Sequence, residues 1–266
     1  MASGPLRALG PDSSALRVRS RAKNALGVAA IVVAILGLLP PISTEARRYV
    51  FVGALQFAMF ALVVPAFVVL AAPFSTGPLS ARAADLAARR RRHTGFPRAL
   101  AVLVLSQAVL VLWRTPVAVN GLVHHIWLAP VELVTLASVG AALWLELVES
   151  PPLAPRSPRQ RRIVLAACAM WTTWVVAYLV GLSHNTWYTA YASARGRIVS
   201  VAADQQIMAG LLWAMAAFMF WPVIFANLMA WLRDDQNPDE ELARLTREER
   251  RRQRWNPSEA QGGGSS

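Results

Sequence analysis

Apolar and polar positions follow one another along this chain in long blocks, not in the short alternations of a soluble fold. Six blocks approach the roughly 20 residues that carry an α-helix across the hydrocarbon layer of a bilayer. They run from Ala25 to Ile42, Val50 to Phe74, Ala99 to Trp113, Trp127 to Val148, Ile163 to Leu182 and Gln206 to Leu232. The third is short, and either stops at Pro116 or continues, kinked, into "RTPVAVNGLVHH". The pattern predicts an all-α, polytopic membrane helix bundle of about six transmembrane helices.

The polar segments between the blocks predict an orientation. Arginine and lysine concentrate in the N-terminal tail (Arg7, Arg17, Arg19, Arg21, Lys23), between spans two and three (Arg82, Arg89 to Arg92), between spans four and five (Arg156, Arg159, Arg161, Arg162), and after span six (Arg244, Arg247, Arg250 to Arg252). The intervening segments carry fewer: Arg47 and Arg48, then Arg114, then Arg195 and Arg197. Cytoplasmic loops hold the excess of positive charge, so both termini are expected in the cytoplasm. The expected division is a basic tail over residues 1–24, a six-helix membrane domain over 25–232, and a cytoplasmic helix with a flexible tail over 233–266. In that last part "NPDEELARLTREERRRQRW" carries its acids early and its arginines late, as a helix dipole favours.

Composition agrees: 55% of the 266 residues are hydrophobic and 16% charged, with mean hydropathy +0.39, against about 25% charged for a soluble domain. The net charge of +12 does not imply nucleic acid, because the arginines cluster between apolar blocks and form no single basic face. The one cysteine, Cys168, lies within an apolar block, which excludes an internal disulfide and any CxxC chemistry. The first apolar run follows a long polar stretch and reads as a retained anchor, not a cleaved signal.

The chemistry-bearing residues fall on the side opposite the basic segments. His124 and His125 precede the fourth span, and His184, Trp187, Tyr188 and Tyr191 follow the fifth. Asp204, Gln205 and Gln206 open the sixth span, and Met208, Met215 and Met219 share one face below them, with Met59 mid-way down the second span. Imidazole and thioether together suit Cu(I). The candidate metal set is His124, His125, His184, Asp204 and Met208, with Gln205, Gln206, Glu132, Trp113 and Trp213 in support. Each has a plain structural role as well: Asp204 as N-cap of the sixth span, the methionines as packing, the histidines and aromatics as interfacial anchors. Glu132 is an acid inside the membrane and needs a partner, whereas Glu146 and Glu149 sit at the cytoplasmic end, within reach of water. No HExxH, GxSxG or P-loop is present, and no catalytic role is expected.

At these residues the chain resembles the CtaG-type cytochrome c oxidase assembly factors. The similarity runs through "ALQFAMFALVVPAFVVLAAPF", "WRTPVAVNGLVHHIW" and "GAALWLELVESPPL" to "WYTAYASARGRIVSVAADQQIMAGLLW". The last piece is the most specific, with Asp204, Gln205, Gln206, Gly210 and Trp213 in order. The resemblance implies a multi-pass protein of the bacterial plasma membrane. It implies oxidase subunits and lipid as partners, and Cu(I) handled at the outer face for delivery to the oxidase. Phe57 and Arg114 depart from it, each standing where the resembling segments carry a histidine. The alternative is therefore a non-enzymatic accessory subunit of an oxidase or supercomplex that has lost copper. A transporter or haem protein is less favoured, because only Glu132, about one turn into the fourth span, comes close to an ionisable residue deep in a span.

Overall fold

The computed structural model describes residues 12–73, 80–92, 95–183, 185–194 and 196–235, together with 246, 247 and 249. Ten α-helices are found among them: α1 (Asp12–Leu38), α2 (Pro40–Glu45), α3 (Val50–Ala58), α4 (Val64–Ala71), α5 (Ser80–Arg92), α6 (Phe96–Arg114), α7 (Pro116–His124), α8 (Leu128–Leu147), α9 (Arg159–Gly181) and α10 (Val201–Asp235). Six stretches are long and apolar enough to cross a membrane: Ser20–Leu38, Val50–Ala71, Phe96–Arg114, Leu128–Leu147, Arg159–Gly181 and Val201–Arg233. No strand occurs among the described residues. The expected C-terminal helix lies almost wholly outside them.

The second span is continuous from α3 to α4 through a π-helical turn at Met59–Val63. Pro65 lacks the N–H that would bond the carbonyl four residues back, at Ala61. Gly140 of α8 faces that same carbonyl: a Cβ there would lie 2.5 Å from Ala61 O and 2.8 Å from Pro65 Cγ. The glycine lets α8 pass close over the proline and the π turn.

Packing closes a ring of five spans. The second touches the fourth (α8), the fourth the third (α6), the third the fifth (α9), the fifth the sixth (α10), and the sixth returns to the second. The first span lies outside, against α4 and the π turn, and is the least enclosed, while the second is the most. Val28, Ile31, Ile35 and Leu38 of α1 are exposed, as suits a lipid-facing helix.

Of the two courses open at Pro116 the chain takes the stop, and the third and sixth spans begin earlier than their apolar blocks. Arg114 ends α6, and Thr115 starts a separate α7, its Oγ1 accepting from Ala118 N–H at 3.4 Å. The third span gains its length at the other end, from Phe96. The sixth begins at Val201, so Asp204 to Gln206 lie within its first two turns.

The opposite end of the bundle holds α5 and the 148–158 loop. Glu149 is mostly exposed, but Glu146, expected to reach water, is fully buried. It accepts from Arg90 Nη2 of α5 at 2.8 Å, from Arg156 Nη1 at 3.1 Å and from the Arg156 backbone N–H at 3.2 Å. A buried carboxylate is stable only when paired in this way. Here it fastens α5 and the loop to the end of α8.

Candidate functional site

The other end of the bundle gathers α2, α7 and the loop between α9 and α10, with a 3₁₀ turn at Thr189–Ser193. α3 starts there without a cap of its own, since Tyr49 makes no side-chain capping bond. Asp204 of α10 supplies it from across the ring: Oδ2 accepts from Val50 N–H at 3.0 Å and Oδ1 from Phe51 N–H at 2.9 Å. Negative charge at a helix N-terminus is favourable, and Asp204 is fully buried there. Arg197 completes the arrangement, donating from Nη2 to Asp204 Oδ2 at 2.7 Å and from Nη1 to the carbonyls of Arg48 at 2.6 Å and Tyr191 at 3.2 Å. The expected cap of the sixth span is thus the cap of the second. Ser200 caps α10 itself, its Oγ accepting from Ala203 N–H at 3.2 Å.

A second cluster lies against the first. Glu132 of α8 has its partner: Arg114 Nη2 donates to Oε1 at 2.8 Å, and both side chains are almost wholly buried, at 3% and 7% exposure. The Arg114 guanidinium carbon lies 4.1 Å from the centre of the Phe57 ring, a cation–π distance. Because α6 stops at Arg114, its last carbonyls have no partner within the helix; that of Arg114 accepts from Tyr188 Oη at 3.1 Å. Tyr191 Oη likewise donates to the Ala46 carbonyl at 3.1 Å. Burial pushes both phenols above their ordinary range, so each stays a neutral donor. Trp113 Nε1 donates to Thr135 Oγ1 at 2.9 Å, joining α6 to α8.

The other expected site residues take varied positions. Gln205 is buried and clips the α9–α10 loop: Nε2 donates to the carbonyls of Val180 at 2.8 Å and Asn185 at 3.2 Å, and Oε1 accepts from Trp187 N–H at 2.9 Å. Gln206 is exposed. Trp213 is partly exposed on the ring's outer surface, stacked on Trp174 at 5.0 Å. Met208 is fully buried in the apolar core, and Met59, Met215 and Met219 are partly buried against that core at other points. His124 and His125 are exposed at the end of α7. His184 lies outside the described residues.

These positions bear on copper, which the resemblance implies. Phe57 and Arg114, the two departures, are stacked on each other, and neither side chain is a ligand. Both Asp204 oxygens are taken by N–H donors. Among the described residues, no group of three or more His, Cys, Asp or Glu is placed to hold a metal ion. Within the ring, the carboxylates of Asp204 and Glu132 are engaged by backbone N–H and guanidinium donors. Sequence reasoning missed Arg197 and the Arg114–Glu132 pair. For the latter a signal existed: one basic and one acidic residue at the same depth of neighbouring spans.

A ring of apolar spans, tied at one end by buried polar clusters, defines a polytopic membrane protein. A family model described as cytochrome c oxidase caa3 assembly factor (Caa3_CtaG) matches residues 12–234, and the chain belongs to that family. No curated protein and no solved structure matches it.

Proposed function

We propose that this chain serves cytochrome c oxidase assembly as a non-catalytic partner in the bacterial plasma membrane. The α7 end faces outward and docks an oxidase subunit, and no Cu(I) is carried within the ring. The observation that carries this reading is the Phe57–Arg114–Glu132 stack. It puts a paired cation and an aromatic ring where the resembling segments have two histidines. The ties from Asp204, Gln205 and Arg197 support the same reading, because they make a rigid platform of the outward loops.

A second reading keeps Cu(I), and the exposed neighbours His124 and His125 favour it. Two imidazoles at a surface suit brief transfer of a soft ion better than storage. Complementation separates the two. In cells lacking the chain, the docking reading expects His124→Ala/His125→Ala to restore oxidase activity and copper content as the native chain does. An oxidase assembled but short of copper, at unchanged levels of the variant, would overturn docking alone and favour transfer.

A further inference from the structure

Between the two polar clusters is a recess of about 70 Å³, bordered by Arg47, Gln56, Arg114, Glu132 and Tyr191. Its polar lining is already partly committed. Tyr191 donates to Ala46, and Gln56 Nε2 donates to the Gly37 carbonyl at 2.8 Å.

The arginines are less completely satisfied. A guanidinium carries five N–H donors. Arg114 gives one from Nη2 to Glu132, while its Nε is buried with no acceptor. Desolvated cations are stable when their remaining donors are met. Arg47, exposed at the rim, makes no ion pair among the described residues. The nearby Arg197 is neutralised by Asp204. The charged lining is thus two arginines against one glutamate, a surplus of a single positive charge at a partly enclosed site. A low local dielectric strengthens the pull of that surplus on an anion.

We infer that the recess binds one small monovalent anion, a halide or a simple carboxylate, held between Arg114 at its floor and Arg47 at its rim. A divalent ion over-compensates the charge. At about 70 Å³ the recess takes a small ion together with a few waters, which suits a free ion from solution. The anion holds α2 and the start of α3 against α6 and α8, and so links anion concentration to the shape of the outward face.

The test is thermal unfolding of the full chain in detergent, followed by tryptophan fluorescence. Chloride or formate is titrated against gluconate at constant ionic strength. The expected result is a saturable rise of the midpoint with chloride and formate, with none from gluconate, which is too large to enter. Arg47→Gln is expected to weaken the apparent affinity about fivefold to tenfold, the effect of removing one charge at near-contact distance. Arg233→Gln, the same charge change at the exposed end of the sixth span, is expected to leave the response intact. Equal, unsaturable responses to all three anions would mean that the recess holds water only. The same affinity in Arg47→Gln as in the native chain would equally overturn the assignment.

Discussion

Asp204 connects points of the chain 154 residues apart, and its value to the fold exceeds that of an ordinary helix cap. Replacing an exposed cap costs about 1 kcal/mol, whereas removing one partner of a buried, charge-paired group costs about 3–5 kcal/mol. Asp204→Ala is therefore expected to destabilise the detergent-solubilised protein by about 3 kcal/mol, with Asp204→Asn intermediate. A loss near 1 kcal/mol would return Asp204 to the role of a simple cap. The sequence reading recognised a capping residue and assigned it to its own helix, because a sequence displays only neighbours along the chain. Arg114 and Glu132 call for a cycle of variants. Glu132→Leu and Arg114→Leu each strand a buried charge and are expected to cost about 3–5 kcal/mol, whereas the double variant lies closer to the native chain than either single one. Additive losses in the double variant would show that the two side chains do not act as a pair.

At the scale of elements, the spans were legible because hydrophobic blocks of bilayer length have few alternative explanations. Pro116 was a legible stop. α5 was not, since its sequence is rich in arginine and, among its described side chains, the buried ones are the small Ala83 and Ala87. Nor was the buried state of Glu146, which depends on Arg90 and Arg156 arriving from two other segments. The contact between α8 and the second span was hidden for the same reason: Gly140 has meaning only beside Ala61 and Pro65. Gly140→Ala places a methyl group 2.5 Å from a backbone oxygen, and overpacking of this kind costs about 1–3 kcal/mol. Gly210→Ala, whose Cβ would meet nothing within 4 Å, is expected to stay within about 0.5 kcal/mol. Melting the two variants side by side checks the assignment, and equal losses would refute it.

For the whole molecule, the ring of five spans with a sixth outside fixes which loops share an end, and the arginine distribution predicts the side that each end faces. In a Cys168→Ala background, Ile198→Cys is expected to react with a membrane-impermeant maleimide added to intact spheroplasts. Glu149→Cys is expected to react only after lysis. The reverse pattern would invert the bundle. The candidate site was legible in part. The residues around Asp204 do converge at one end of the ring, but as structural ties. The two histidine departures gained meaning only once Phe57 and Arg114 proved to be in contact. We propose that this contact, paired to Glu132, takes the place of a metal centre. Cu(I) competition against a chromogenic chelator tests it most directly, using the purified native chain beside His124→Ala/His125→Ala. Neither protein is expected to withdraw a stoichiometric ion from the chelator; about one ion tightly held by both would place a metal centre within the ring after all, and one lost in the variant would favour transfer by the surface histidines.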